Sequence, residues 1–242
     1  MAATDAFSLA NKRILITGAS SGIGAACAEN FSDATLFLTG RNTERLNAYG
    51  AGTRVVADLT QADARAALLA MIDAPLDGIV FAAGTNARRP FSAVSEKKLR
   101  AIFEVNFFAA TSLCKELLNA KKIAAGASLV FVASIDGPIS AYPANSMYAS
   151  SKAALAAFAR SLATELAVTG TRVNVICPGA VDTPMLRAEL SDEQLVADAQ
   201  NYPLKRFGKA EEIAHAARYL LAPASAWVTG TQLVIDGGIT LN

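Results

Sequence analysis

The chain has 242 residues, of which 52% are apolar and 18% charged, a length that suits one large hydrophobic core better than two. Such a composition excludes a mainly disordered chain. Its 22 basic and 21 acidic residues leave a net charge of +1, so no global field steers it to nucleic acid or to an anionic membrane.

The first thirteen residues hold no apolar stretch of signal-peptide length, and no segment reaches the roughly 18 apolar residues of a membrane span. The expectation is a cytoplasmic protein with a flexible tail over residues 1–10. Cys27, Cys114 and Cys177 are widely spaced and form no Cys-x-x-Cys pair, so they read as core thiols rather than as a disulfide framework or metal site. From there, short β-branched runs at 12–17, 35–39, 54–57, 78–82, 128–133, 172–176 and 231–235 alternate with helical patterns at 22–31, 42–49, 61–72, 95–120, 146–168 and 209–221. Strand–helix alternation with right-handed crossovers predicts one α/β domain, a mainly parallel seven-stranded sheet doubly wound by helices on both faces. The alanine-rich surface of 146–168 is too broad for one stripe and predicts burial on two sides. The connection 180–208 is long and proline-bearing, which predicts a lid over a site.

The first strand ends in Thr17, Gly18, Ala19, Ser20, Ser21, Gly22, Ile23 and Gly24 and runs directly into a helix. Glycines there permit a sharp turn and close backbone approach, and the free amides of the helix start suit a pyrophosphate. The same residues spell Gly18-x-Ser20-x-Gly22, the nucleophile elbow of serine hydrolases. That reading needs a general base, and the single histidine, His215, falls inside a helical run. At the end of the second strand, Gly40 stands where dinucleotide folds that bind NAD carry an acid, and Arg41 beside it suits a 2′-phosphate, so NADP(H) is expected over NAD(H).

Tyr148 and Lys152 stand one helical turn apart on one face. Bringing a phenol from pKa ~10 to neutrality takes roughly 4 kcal/mol, which an ammonium about 4 Å away supplies at an effective dielectric near 20. The pair therefore predicts a proton donor and acceptor. Ser134 ends the strand 128–133 at the carboxyl edge, and Asn106 is a polar residue among Val105, Phe107 and Phe108, expected to be buried and bonded.

Over nearly its whole length the sequence resembles the short-chain dehydrogenases/reductases, including members similar to 3-oxoacyl-carrier-protein reductases. The resemblance implies a single Rossmann domain with Asn106, Ser134, Tyr148 and Lys152 as catalytic residues. It implies cofactor contacts from Gly18, Ser20, Ser21, Gly22, Ile23, Gly24, Arg41, Asp58, Leu59, Ala83, Gly84, Tyr148, Lys152, Pro178, Gly179, Val181 and Thr183. It further implies hydride transfer between a nicotinamide and a small carbonyl or secondary alcohol (a 3-oxoacyl thioester, ketone or sugar) in a homodimer or homotetramer. Two departures stand out. Phe81, Ala82, Ala83 and Gly84 lack the asparagine that braces the sheet in the family, and the interval from Ser134 to Tyr148 is one residue longer than usual. The rival readings are a serine hydrolase built on Ser20 and a catalytically silent dinucleotide-binding regulator.

Overall fold

The computed structural model describes residues 5–241. Strands β1 (Arg13–Thr17), β2 (Thr35–Gly40), β3 (Thr53–Val56), β4 (Leu76–Phe81), β5 (Ile123–Val132), β6 (Arg172–Pro178) and β9 (Gln232–Ile235) form one sheet in the order β3-β2-β1-β4-β5-β6-β9. Every ladder in it is parallel. Alternate residues of each strand serve two separate cores, because side chains in a strand point to opposite faces. Leu15, Phe37, Ile79 and Phe131 pack on one side with Leu68, Leu113 and Leu155, while Ile14, Leu38, Val80 and Val130 pack on the other with Phe31, Ile213 and Leu220. Covering on both faces is why the strands read as unbroken apolar runs.

The helices are α1 (Gly22–Asn30), α2 (Thr43–Asn47), α3 (Ala62–Ala70), α4 (Glu96–Phe103), α5 (Ala109–Asn119), α6 (Ser146–Leu166) and α9 (Ala210–Leu221), as the alternation predicts. The continuous helix expected over 95–120 is instead divided. A π-helical turn over Glu104–Phe108 lies between α4 and α5, and it carries Asn106 into the interior. Strand β5 starts earlier than expected, at Ile123, and its register against β4 shifts between Leu76 and Gly78. The connection after β6 contains two short helices, α7 (Pro184–Arg187) and α8 (Asp192–Ala199), pinned by a two-residue parallel pair, β7 (Val181–Asp182) with β8 (Gly208–Lys209).

The flexible tail expected at 1–10 is corrected for its described part, residues 5–10, while residues 1–4 lie outside the described chain. Leu9 is fully buried and its amide donates to Asp33 Oδ2 at 2.8 Å. The Ala6 carbonyl accepts from the Ala224 amide, and the Phe7 carbonyl from Arg218. An apolar anchor plus satisfied backbone groups outweighs the entropy of a short terminal segment.

Helix α6 buries Lys152, Leu155, Ala156, Ala159, Leu162 and Ala163, whereas Ala157, Arg160, Ser161 and Thr164 remain exposed. Burial on two sides is thus not achieved within one chain. All three cysteines are buried; desolvation pushes Cys27 and Cys114 up to about 12 and Cys177 up to about 11. Among the described residues, no helix is long and apolar enough to cross a membrane.

Candidate active site

The sheet order reverses between β1 and β4, since successive strands leave β1 first toward β3 and then toward β9. In doubly wound sheets that divergence opens a crevice at the carboxyl ends of the strands. A cavity of about 520 Å³ lies there. Its walls include Gly18, Ser20, Ser21, Gly22, Ile23, Arg41, Asp58, Leu59, Ala83 and Gly84 from the first half of the chain. Ser134, Tyr148, Lys152, Pro178, Gly179, Val181 and Thr183 come from the second.

The cradle near β1 is shaped by what its glycines leave out. Gly18 has φ +70°, and a Cβ there would stand 2.9 Å from the Ala83 backbone. Gly22 has φ +55° and faces the Thr183 side chain, so this edge admits a ligand close to the backbone. These residues fit the nucleotide that the sequence implies. Gly24 has a different place: it does not line the cavity, and a Cβ on it would come within 2.3 Å of the Gly18 carbonyl. It lets α1 pack against the turn. The end of β4, which lacks the bracing asparagine of the family, is held by Thr17. Its buried Oγ1 accepts from the Ala82 and Ala83 amides at 3.1 and 3.2 Å.

The residues at the other end come together from α6, β5 and the π turn. Ser134 is buried beside Tyr148, whose phenol is pushed up to about 12 by burial; the Ser134 hydroxyl opposes that rise, and Asp136 and Glu189 add to it. Lys152 is buried and held down at about 8 by desolvation. Its Nζ donates to the Val132 carbonyl at 2.8 Å and stands 5.8 Å from the centre of the Tyr148 ring. The expectation that the ammonium alone draws the phenol toward neutrality is therefore corrected. Burial is the largest influence on both groups, raising the phenol and lowering the ammonium.

Asn106 is fully buried, does not line the cavity, and holds the wall behind it. Its Oδ1 accepts from the Thr85 amide at 2.8 Å, and its Nδ2 donates to the Thr85 carbonyl and to Ser151 Oγ. A π turn at such a place is a frequent mark of functional sites. The extra residue between Ser134 and Tyr148 is absorbed in a tight turn where Ile139 and Ser140 amides both donate to the Ile135 carbonyl.

His215 is exposed on α9 and does not line the cavity with Ser20, which leaves a serine nucleophile without its base. The segment 180–208 contributes Pro184, Met185, Leu186, Glu189, Tyr202 and Phe207 to the walls. Arg88 lines the cavity as well. Asp136, Asn145 and Asn86, which the sequence reading passed over, are also in the lining. For Asp136 the available signal was a carboxylate placed directly after a buried strand end, between Ile135 and Gly137.

Comparison with known proteins agrees with this geometry. The family model described as enoyl-(acyl carrier protein) reductase matches residues 18–240. The chain is 33% identical over 247 residues to a glucose 1-dehydrogenase of Gluconobacter oxydans, covering 96% of this chain and 93% of the relative. It is 31% identical over 251 residues to a tropinone reductase homologue of Arabidopsis thaliana, covering 98% and 95%. Among solved structures, a short-chain dehydrogenase/reductase of Brucella melitensis, described as a glucose/ribitol dehydrogenase, superposes with a TM-score of 0.90 at 33% identity, covering 97% of this chain and 99% of that one. Sequence, fold and the meeting of Ser134, Tyr148 and Lys152 beside a glycine cradle thus lead to one assignment: the chain belongs to the short-chain dehydrogenases/reductases, NAD(P)-dependent oxidoreductases acting on CH–OH groups.

Proposed function

We propose that the protein is an NADP(H)-dependent reductase of small carbonyl compounds, working in reverse on the corresponding secondary alcohols. The observation that carries this is the half-buried Tyr148 phenol within hydrogen-bond reach of Ser134 in the wall of the glycine-lined cavity, with Lys152 beside it. A bound nicotinamide supplies or accepts the hydride. Ser134 and Tyr148 hold the substrate oxygen, and Tyr148 gives its Oη proton to the forming alkoxide. Lys152, already at the Val132 carbonyl, is positioned to bind the nicotinamide ribose, and Asn106 fixes the Thr85 segment that walls the site. Gly22 and Ile23 at the start of α1 line the part of the cavity where a pyrophosphate would lie, and Asp58 and Leu59 line the part that would take the adenine. Loss of NADPH absorbance against a panel of ketones, sugars and 3-oxoacyl thioesters tests the reading; no oxidation with any carbonyl class would overturn it.

The preference for NADP(H) rests on Gly40 and Arg41. A Cβ on Gly40 would stand 2.8 Å from Ser20 Oγ and 3.0 Å from Ser20 Cβ, so an acid there would have to displace the cradle. Arg41 is exposed at the cavity wall and forms no ion pair with a described residue. Its planar fork suits a phosphate monoester. A charge-assisted contact worth about 1.5–3 kcal/mol corresponds to a preference on the order of ten- to a hundredfold. Arg41→Ala is expected to lower kcat/KM for NADPH by that factor and leave NADH nearly unchanged, as steady-state kinetics with both cofactors would show. Equal loss for both cofactors would remove Arg41 from phosphate recognition.

We further propose that a second copy of this chain covers the exposed side of α6, in an isologous pairing with its own equivalent. Ala157, the partly exposed Ala153 and Ala154, and Phe108 nearby on the π turn leave an apolar surface there. Light scattering at micromolar concentration should return at least a dimer mass; a monomer would sink the pairing.

A further inference from the structure

Beyond Tyr148 the cavity holds two acceptors that have no donor. Asp136 is 3% exposed and lines the cavity two residues after Ser134, whose Oγ accepts from the Asp136 amide at 3.1 Å. Its Oδ2 accepts from Asn145 Nδ2, but Oδ1 is buried without a hydrogen-bond partner. Burial pushes the Asp136 carboxyl up, and Asn145, the Tyr142 amide and Arg88 oppose that rise. Asn145 also lines the cavity, and its own Oδ1 is equally buried and unpartnered. Buried acceptors are normally paired, so two beside each other at the place where a substrate must sit ask for a ligand that brings donors.

The backbone holds this pair in place against local strain. Gly137 adopts φ +107°, and Ala144, a residue with a side chain, is left-handed at φ +63°. The Ala144 carbonyl is tied to the Arg89 amide at 2.7 Å. Strain retained beside a site by surrounding bonds is a mark of preorganisation.

We propose that Asp136 and Asn145 form a substrate subsite that accepts hydrogen bonds from hydroxyl groups next to the reacting carbon, so that the substrate class is hydroxylated ketones or aldehydes and the matching polyols. This rests on the carbonyl-reductase reading and narrows it. A hydroxyl fits better than an ammonium because Arg88 lies along the same cavity and acts on both Asp136 and Glu189, and a second cation would meet its charge. A 3-oxoacyl chain has no donor beside its ketone and would leave both acceptors unpaired. Tyr148 and Ser134 remain the groups that handle the reacting oxygen; Asp136 acts on specificity.

The test compares 1-hydroxybutan-2-one with butan-2-one, which differ by one hydroxyl next to the carbonyl. With NADPH, wild-type kcat/KM is expected to favour the hydroxyketone by about tenfold or more, the scale of a hydrogen bond to a charged acceptor. Asp136→Ala should bring that ratio to within about threefold of one, and Asp136→Asn, which keeps an acceptor oxygen, should retain part of it. A wild-type ratio near one, or an alanine variant that lowers both ketones and leaves the ratio intact, overturns the subsite while the reductase reading stands. Failure to oxidise NADPH with any carbonyl overturns the reductase reading instead. The subsite is then still decided by ligand-observed NMR of the same two ketones with NADPH-loaded Tyr148→Phe protein. Tighter binding of the hydroxyketone supports it, and equal binding overturns it.

Discussion

Tyr148→Phe is expected to lower kcat for carbonyl reduction by 10² to 10⁴-fold, about the range contributed by a positioned general acid, while cofactor affinity stays within a few-fold. The variant removes one oxygen. The ring, its packing on α6 and the cavity shape remain, so the proposed cofactor contacts at Gly18, Gly22 and Arg41, which line the same cavity, are expected to be untouched. The structure sharpens what that oxygen does. Burial holds the phenol at about 12, with Asp136 and Glu189 pushing the same way, so the acid form is present at neutral pH before any substrate arrives. In the proposed reduction the phenol would give its proton only once alkoxide charge develops, with Ser134 and Tyr148 both bonding that oxygen. Lys152→Ala is expected to differ in kind, because in the proposed function its ammonium binds the nicotinamide ribose besides standing beside the phenol, and both KM for cofactor and kcat should suffer. Rapid-mixing and steady-state assays with NADPH, together with cofactor titration by fluorescence, separate the two. A phenylalanine variant retaining more than about a tenth of wild-type kcat would leave the proton without its proposed donor.

The second large effect is expected from Gly137→Ala. Gly137 has φ +107°, a conformation costing a side-chain-bearing residue about 1–3 kcal/mol. A Cβ would also lie 2.1 Å from the Ala149 carbonyl oxygen and 2.8 Å from its carbon. Those atoms belong to the first turn of α6, so relief requires moving the turn that carries Tyr148. Overpacking of this sort adds about another 1–3 kcal/mol, and a total near 2–6 kcal/mol is a large share of the roughly 5–15 kcal/mol that holds a domain together. Urea unfolding should show a midpoint lowered at unchanged slope, and kcat should fall with it because the phenol moves relative to Ser134. Gly126→Ala is a useful companion: Gly126 is also left-handed, at φ +75°, but nothing lies within 4 Å of its Cβ position. It should show the backbone cost without the collision or the loss of rate. An unchanged midpoint for Gly137→Ala would mean that the turn after Ser134 yields easily, which would also weaken the case for a preorganised Asp136.

What the sequence by itself determined is everything that depends on periodicity and on residues near one another in the chain. Apolar runs such as Ile14–Ile16 and Leu129–Val132 had to be strands covered on both faces, and chirality of the crossovers left little choice in winding them. The glycine turn before α1 and the one-turn spacing of Tyr148 and Lys152 were legible for the same reason, since local geometry converts spacing directly into position. Tertiary structure decided what depends on groups brought from far away. Asn106 reads as part of an unbroken helix until the Thr85 backbone and Ser151 compete for its amide. The bracing of the β4 end lies in the Thr17 hydroxyl, 65 residues from the amide it serves. Residues 5–10 look like a tail because their partners Asp33, Arg218 and Ala224 lie in other elements. The protonation of the site was the least legible of all. Spacing brings Lys152 near Tyr148, but the depth of surrounding protein and the Val132 carbonyl decide where the ammonium points and which way each proton equilibrium moves. Desolvation is a property of the packed whole, and no window of the chain carries it.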